Sequence, residues 1–315
     1  MLYRPRQNFD NVKGGQFPIG FFIWHTDDKQ PVGEIVADVF DKDGEPIGTK
    51  RLVVNQGVRS INDWIISTRN RAGEEIIGYM SAKGCDFQNQ NYNFIINDKS
   101  QLPHPRGTQV TDMNLKEIAI YLAVRHSVKK NWLNDRDQFT EPYDSWITDI
   151  EFQNDCLAYT LFSVSNNIQS EYGINNWQPF AEDELGINNE LSSHFMTDYI
   201  SGKKRPQVLL GDLFETDNQP DDQPLVFSTE AKAVFDAGRE LWKYYHQQPD
   251  ADLNASYYDI RKYFQGTKID KNGKIIMNTT SEDDNYIRLH SALRLAHRRL
   301  SEKIAQKVYE HGFLR

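Results

Sequence analysis

The chain of 315 residues carries 36 Lys and Arg against 45 Asp and Glu; its net charge of −9 excludes a wholly basic nucleic-acid coat but not a local basic patch. An apolar share of 38% with 12% aromatics is enough to build a core, which excludes global disorder. The two cysteines, Cys85 and Cys156, lie far apart, which argues against a disulfide scaffold or a cysteine zinc site and points to a reducing cytoplasm. No apolar run approaches the roughly 18 residues of a membrane span, and the Met1 to Arg6 stretch lacks the apolar centre of a signal peptide.

Patterning predicts an α+β chain, with a β-rich first third (1–112) followed by a mostly helical region (113–315). Phe17 to Trp24 reads as a buried strand. Glu34 to Phe40 and Ile47 to Val54 flank Asp41-Lys42-Asp43-Gly44-Glu45, whose Asp-Gly pair signals a hairpin. The same Asp-x-Asp-Gly could open a calcium loop, but the later acidic ligand is missing and strand formers flank it. Ile61 to Ser67, Glu75 to Met80 and Tyr92 to Ile96 read as three more strands, and Leu102 to Gly107 as a break.

Helical spacing begins at Asn114, which with Glu117 forms a box-like start for an apolar helix through Val124. Thr148 and Glu151 suggest the same for a second apolar helix through Phe162. A polar loop from Lys129 to Phe139 joins the two, an arrangement that often carries function. Asn166 to Phe180 reads as a loop and Asp183 to Ile200 as a helix. Asp212 to Glu230 holds six acids, no base and two prolines, the composition of a solvated linker or mobile loop. Ser228 can cap a helix in which Val234, Phe235, Gly238, Leu241, Trp242 and Tyr245 form one face. Asn254 can cap a shorter helix through Phe264, and Thr267 to Asn278 reads as a hairpin turned at Asp270-Lys271-Asn272-Gly273. Ser281 can open a last helix with Leu289, Leu293, Ala296, Leu300, Ile304 and Val308 as its buried stripe, stopped by Gly312.

Two basic zones stand out on this acidic chain. Arg125, Lys129, Lys130 and Arg136 lie close together, opposed in that window only by Asp135. Between Tyr286 and Arg315, seven Lys and Arg face two acids, and His290, His297 and His311 add charge in acid. Phosphate contact is one reading, with Arg298, Arg299 and Lys303 as further contacts. Complementation of a helix dipole or an ordinary solvated face is the other. Asp135 and Asp137 around Arg136 suggest either metal chemistry or a buried ion pair, and no third ligand stands at readable spacing. Trp177, Phe180, Tyr257 and Tyr258 suit either base stacking or the core.

Longer blocks go further. Tyr121-Leu122-Ala123-Val124-Arg125, Trp132-Leu133-Asn134-Asp135-Arg136-Asp137-Gln138-Phe139 and Asp155-Cys156-Leu157 resemble a block of the large bacterial DNA adenine-N6 methyltransferases of restriction–modification systems. So do Asn176-Trp177-Gln178-Pro179-Phe180, Ala237 to Tyr245, Tyr258 to Gly266 and Lys307 to Leu314. These blocks are similar to the region C-terminal to the catalytic domain, and Phe17 to Trp24 is similar to a late strand of the methyltransferase sheet. That family binds S-adenosylmethionine at a glycine-rich turn and holds the flipped base with an Asn/Asp-Pro-Pro-Tyr/Phe loop. Neither is present here, so no catalytic, cofactor-binding or metal-binding residue carries over. The resemblance implies a non-catalytic target-recognition part. Its partners would be double-stranded DNA and a catalytic methyltransferase half, with S-adenosylmethionine belonging to the complete enzyme. A docking module that never touches DNA and a magnesium-dependent nuclease using Asp135 and Asp137 are the alternatives.

The chain alone is therefore expected to show no heat of binding on calorimetric titration with S-adenosylmethionine. A micromolar site would overturn the reading that the cofactor turn is missing.

Overall fold

The first hairpin forms where the Asp-Gly pair places it. In the computed structural model β3 (Glu34–Phe40) and β4 (Pro46–Val53) run antiparallel, with Glu34 opposite Val53 and a bulge between Val39 and Phe40. The structure describes residues 2–3, 19–20, 27, 33–41, 43–53, 57–68, 75–82, 93–102, 107–128, 139–203 and 223–314. At the turn, Asp41 Oδ1 accepts the amides of Asp43 and Glu45 at 2.8 and 3.0 Å, and Gly44 takes the left-handed φ of 85°. That side-chain turn uses the carboxylate inside the hairpin, as turn aspartates commonly do. β1 (Leu2–Tyr3) and β2 (Ile19–Gly20) complete a sheet of order β2-β1-β3-β4, in which β1 is parallel to β3. Only Ile19–Gly20 of the Phe17 to Trp24 strand lies within the described residues.

The segment expected as the fourth strand is a helix instead, α1 (Ile61–Ser67). Ser60 Oγ accepts the Asp63 amide at 3.1 Å while Asp63 Oδ2 accepts the Ser60 amide at 3.3 Å, a complete capping box. Ile61, Trp64 and Ile65 are buried at helical spacing, which overrides the strand preference of a short isoleucine-rich run. The second sheet, of order β6-β5-β7, is built from β5 (Ile76–Ala82), β6 (Asn93–Ile96) and β7 (Thr108–Thr111).

The two apolar helices form as expected, α2 (Leu115–Ser127) and α4 (Ile150–Leu161), with the short α3 (Ser145–Thr148) between them. Their starts differ from the expected boxes. Asn114 does not cap α2; its side chain accepts the Thr111 amide at 2.9 Å and donates to the Gln109 carbonyl at 3.0 Å, locking the turn out of β7. Asp149, not Thr148, caps α4 by accepting the Phe152 amide at 3.1 Å. The Asp183 to Ile200 helix is broken into α5 (Glu182–Leu185) and α6 (Phe195–Ser201), because Gly186 turns left-handed at φ 71°.

Ser228 caps α7 (Thr229–His246) as expected, through the Ala231 amide at 3.2 Å, and the predicted apolar face is buried. Ser256 rather than Asn254 caps α8 (Tyr257–Gln265), in a full box with Asp259. The hairpin follows as β8 (Thr267–Ile269) and β9 (Ile275–Met277). The last helix, α9 (Asp284–Glu310), opens at Asp283 rather than Ser281, and Leu293, Leu300, Ile304 and Val308 are buried along it. The Leu102 to Gly107 break lies partly outside the described residues, and so does most of the acidic segment from Asp212.

One hydrophobic core runs from Ile61 to Leu314 and so crosses residue 112. Two long-range ties hold it. The Trp177 indole donates to the Ile77 carbonyl at 2.8 Å, fixing the loop before α5 to the second sheet. At the other end the tail after α9 zips onto residues 139–143. Thr140 and Tyr143 amides donate to the Phe313 and His311 carbonyls at 3.0 and 2.8 Å, and the Ile61 amide donates to Phe139 at 3.1 Å. Trp177 and Phe180 belong to this core, as does Tyr257, while Tyr258 is half-buried.

Gly238 sits inside α7 where a Cβ would lie 2.3 Å from Phe162 Cε1. Alanine gains about 1 kcal/mol of helix propensity, but overpacking a well-filled core costs about 1–3 kcal/mol. Gly238→Ala is therefore expected to lower the urea midpoint, and an unchanged or raised midpoint would show that Phe162 moves freely.

Candidate nucleic-acid interface

The helix that carries the second basic zone is set by its own sequence. Asp283 accepts the Tyr286 amide at 2.8 Å at its start, and Gly312 turns left-handed at φ 72° just past its end. Between them, 27 residues lay an apolar stripe on α2, α4 and α7, which leaves the outer face to solvent. The basic residues are divided by that geometry into three groups.

Lys303 and Lys307 point inward to acids. The Lys303 ammonium lies 2.5 Å from Glu151, 3.3 Å from Asp155 and 3.6 Å from Glu230. Burial works to lower its pKa, but the Glu151 and Asp155 carboxylates outweigh this and hold it above its usual value. Burial pushes the Asp155 carboxyl up, only partly offset by the Ser228 hydrogen bond at 3.1 Å and by Lys303. Lys307 pairs with Asp149 at 3.2 Å and with Glu310 at 2.8 Å. Burial alone would raise the Asp149 pKa, yet the Phe152 amide, Lys307 and His311 hold it below the usual carboxylate range.

The same Asp149 oxygen accepts from His311 Nε2 at 3.1 Å, and His311 Nδ1 faces the Ser145 hydroxyl at 2.9 Å. Serine, histidine and aspartate in line are the residue types of a hydrolase triad. Here the carboxylate also caps α4 and neutralises Lys307, so the arrangement serves to clasp the end of α9 to the start of α4.

Arg288, Arg298 and Arg299 form the second group. All three are exposed, and none makes an ion pair among the described residues. The third group, Arg294 with Arg261 of α8, is half-buried beside tyrosines.

The expected contacts are thus separated. Arg298 and Arg299 lie on the open face. Lys303 is taken by three acids, because it falls one turn further along, on the side facing α4 and α7. Arg125 is 1% exposed; its guanidinium donates to the Tyr121 hydroxyl and to Asn62 Oδ1 and lies over the Tyr121 ring at 5.0 Å. Burial removes it from the surface set, since α2 is apolar nearly all round and its last turn is covered by α1. Lys129, Lys130 and Arg136, with Asp135 and Asp137, lie outside the described residues. Sequence reasoning counted Arg288 in the basic zone and left it off the expected contacts. Steps of three and four through Ser291 and Leu295 to Arg298 were the signal that places it on the same face.

Among the described residues no group of His, Cys, Asp and Glu could hold a metal ion, and Cys156 is a buried free thiol. No described helix is long and apolar enough to cross a membrane.

Lys303→Met is expected to cost about 3 kcal/mol at neutral pH, because it strands the buried Asp155 charge. The loss should shrink as pH falls, since a protonated Asp155 needs no counter-charge. Urea unfolding at two pH values checks this, and an equal loss at both would show that Lys303 acts through packing. No family model, curated protein or solved structure matches the chain.

Proposed function

We propose that this chain is the non-catalytic, DNA-contacting part of an adenine-N6 methyltransferase of a restriction–modification system, inactive alone and completed by a catalytic half. One observation supports it most: Arg288, Arg298 and Arg299 stand exposed and without acidic partners among the described residues on one face of α9, on a protein of net charge −9. Unpaired arginines on an acidic protein keep their field for an outside anion, whereas paired ones are spent internally. Arg288 and Arg299 are about 16 Å apart along the axis at 1.5 Å per residue, a length over which duplex DNA presents several phosphates.

In this reading the arginines grip the backbone and set the register, while base edges are read elsewhere. The methyltransferase chemistry, which requires the target base to leave the stack, belongs to the catalytic half. Lys129, Lys130 and Arg136, which follow the buried Val128 and precede the buried Phe139 in the sequence, are assigned to the same contact set. The family assignment rests on the sequence resemblance.

Replacing Arg288, Arg298 and Arg299 together with alanine should lower the slope of log affinity against log salt by about 2–3 units, at about 0.9 per phosphate contact. Weakening should be similar on specific and random duplexes, with melting unchanged because the side chains are solvent-facing. An unchanged slope removes this face from the interface. No salt-sensitive binding by the unmodified chain favours a protein-docking module instead.

A further inference from the structure

A second cationic cluster lies off that face, between α8 and α9. We propose that Arg261, Arg294 and His290, with the hydroxyls of Tyr257 and Tyr286, form a binding site for a phosphate-class oxoanion.

The argument starts from charge. Arg261 stacks over the rings of Tyr257 and Tyr258, with its Cζ 5.1 and 5.7 Å from their centroids. Its Nη2 donates to the Val164 carbonyl at 3.1 Å, while its buried Nε has no hydrogen-bond partner among the described residues. Arg294 is close enough that the two guanidinium charges repel. Neither arginine makes an ion pair among the described residues. Asp259, the acid on the same helix, is occupied by the Ser170 and Ser256 amides at 2.9 Å each. Two half-buried like charges with no counter-ion are costly, because desolvation removes the water that would otherwise screen them. Cation–π contact with the tyrosines offsets only about 0.5–2 kcal/mol of that cost.

The second observation is a set of orphaned polar atoms. Tyr257 and Tyr286 are 2% and 1% exposed, and neither hydroxyl meets hydrogen-bond geometry with a described residue, although Arg294 lies beside the first and Gln265 beside the second. His290 Nε2 is likewise unpartnered. Its ring stacks on Tyr286 at 5.1 Å between centroids and lies 6.1 Å from that of Tyr257. Buried polar groups almost always find partners, so a cluster of such donors marks a place where a partner belongs. Burial and the two arginine charges lower the His290 pKa to about 4, so the ring is neutral near pH 7. Guanidinium, phenol and imidazole together are all donors, the complement of an oxoanion that accepts at every oxygen. The site owes nothing to the DNA-binding reading above and is separate from Arg288, Arg298 and Arg299.

An anion seated here would favour protonated His290 and raise its pKa, whereas a merely structural cluster would leave it in place. The test is an NMR pH titration of the labelled histidines in chloride, then in inorganic phosphate at matched ionic strength. We expect phosphate to raise the His290 pKa by about one unit, a tenfold change in its protonation constant, with His297 unmoved. Arg294→Gln should abolish the phosphate effect while Arg298→Gln retains it. Should Arg261→Gln fail to fold, the unmodified protein and Arg294→Gln still decide the matter. No phosphate-dependent shift in the unmodified protein overturns the site, as does an equal shift in Arg294→Gln. A short duplex in place of phosphate identifies the source: a matching shift assigns the anion to a nucleic-acid backbone, and no shift to small phosphoryl compounds, with the site upheld in both cases.

Discussion

Two acids on one buried helix govern much of the charge on this protein. Asp149 and Asp155 stand at the start and middle of α4; Asp155 is buried and Asp149 partly so, and each is met by a lysine. Those lysines, Lys307 and Lys303, come from α9. The same carboxylates accept the Phe152 and Ser228 amides, so they also set where α4 and α7 begin. Breaking one partner of such a pair leaves a stranded charge, which is why these lysines belong to the fold more than to any outside ligand.

The tail and the loop segment at 139–143 are joined to that frame. Main-chain hydrogen bonds tie the start of α1, the stretch from Phe139 to Tyr143 and the residues after α9 into one seam, with Trp64 edge-on to both Trp146 and Phe313. Val128 and Phe139, on either side of residues 129–138 in the sequence, are both buried in this frame.

Charge compensation also separates two surfaces that composition lumps together. On the outer face of α9 the arginines are exposed and make no ion pair among the described residues. Between α8 and α9 they are half-buried among tyrosines, where an unbalanced charge costs more and a small anion gains more. Exposed cations on a long helix suit an extended partner. Half-buried cations beside buried tyrosine hydroxyls suit a compact one.

Local rules determined a good deal from the sequence alone. The α+β order, the Asp-Gly hairpin, the all-round apolar character of α2, the apolar run that ends α4, the Ser228 cap and the α9 stripe all follow from spacing and turn chemistry, which act over a few residues. Where two local signals competed, the weaker-looking one sometimes prevailed. At Ile61 a capping box and a buried tryptophan outweighed strand propensity, and at Asn114 the side chain was drawn into the β7 turn. The candidate site was legible only as a count of basic residues. Which cations are buried, paired or open depends on what lies opposite them, often more than a hundred residues away, as Glu151 and Asp155 do from Lys303. Arg125 illustrates the limit: it ends a helix in a basic window, yet α1 covers it. Helix phase was readable from the sequence, but the partner of each face was decided only by tertiary packing, because ion pairing depends on distance in space and not on distance along the chain.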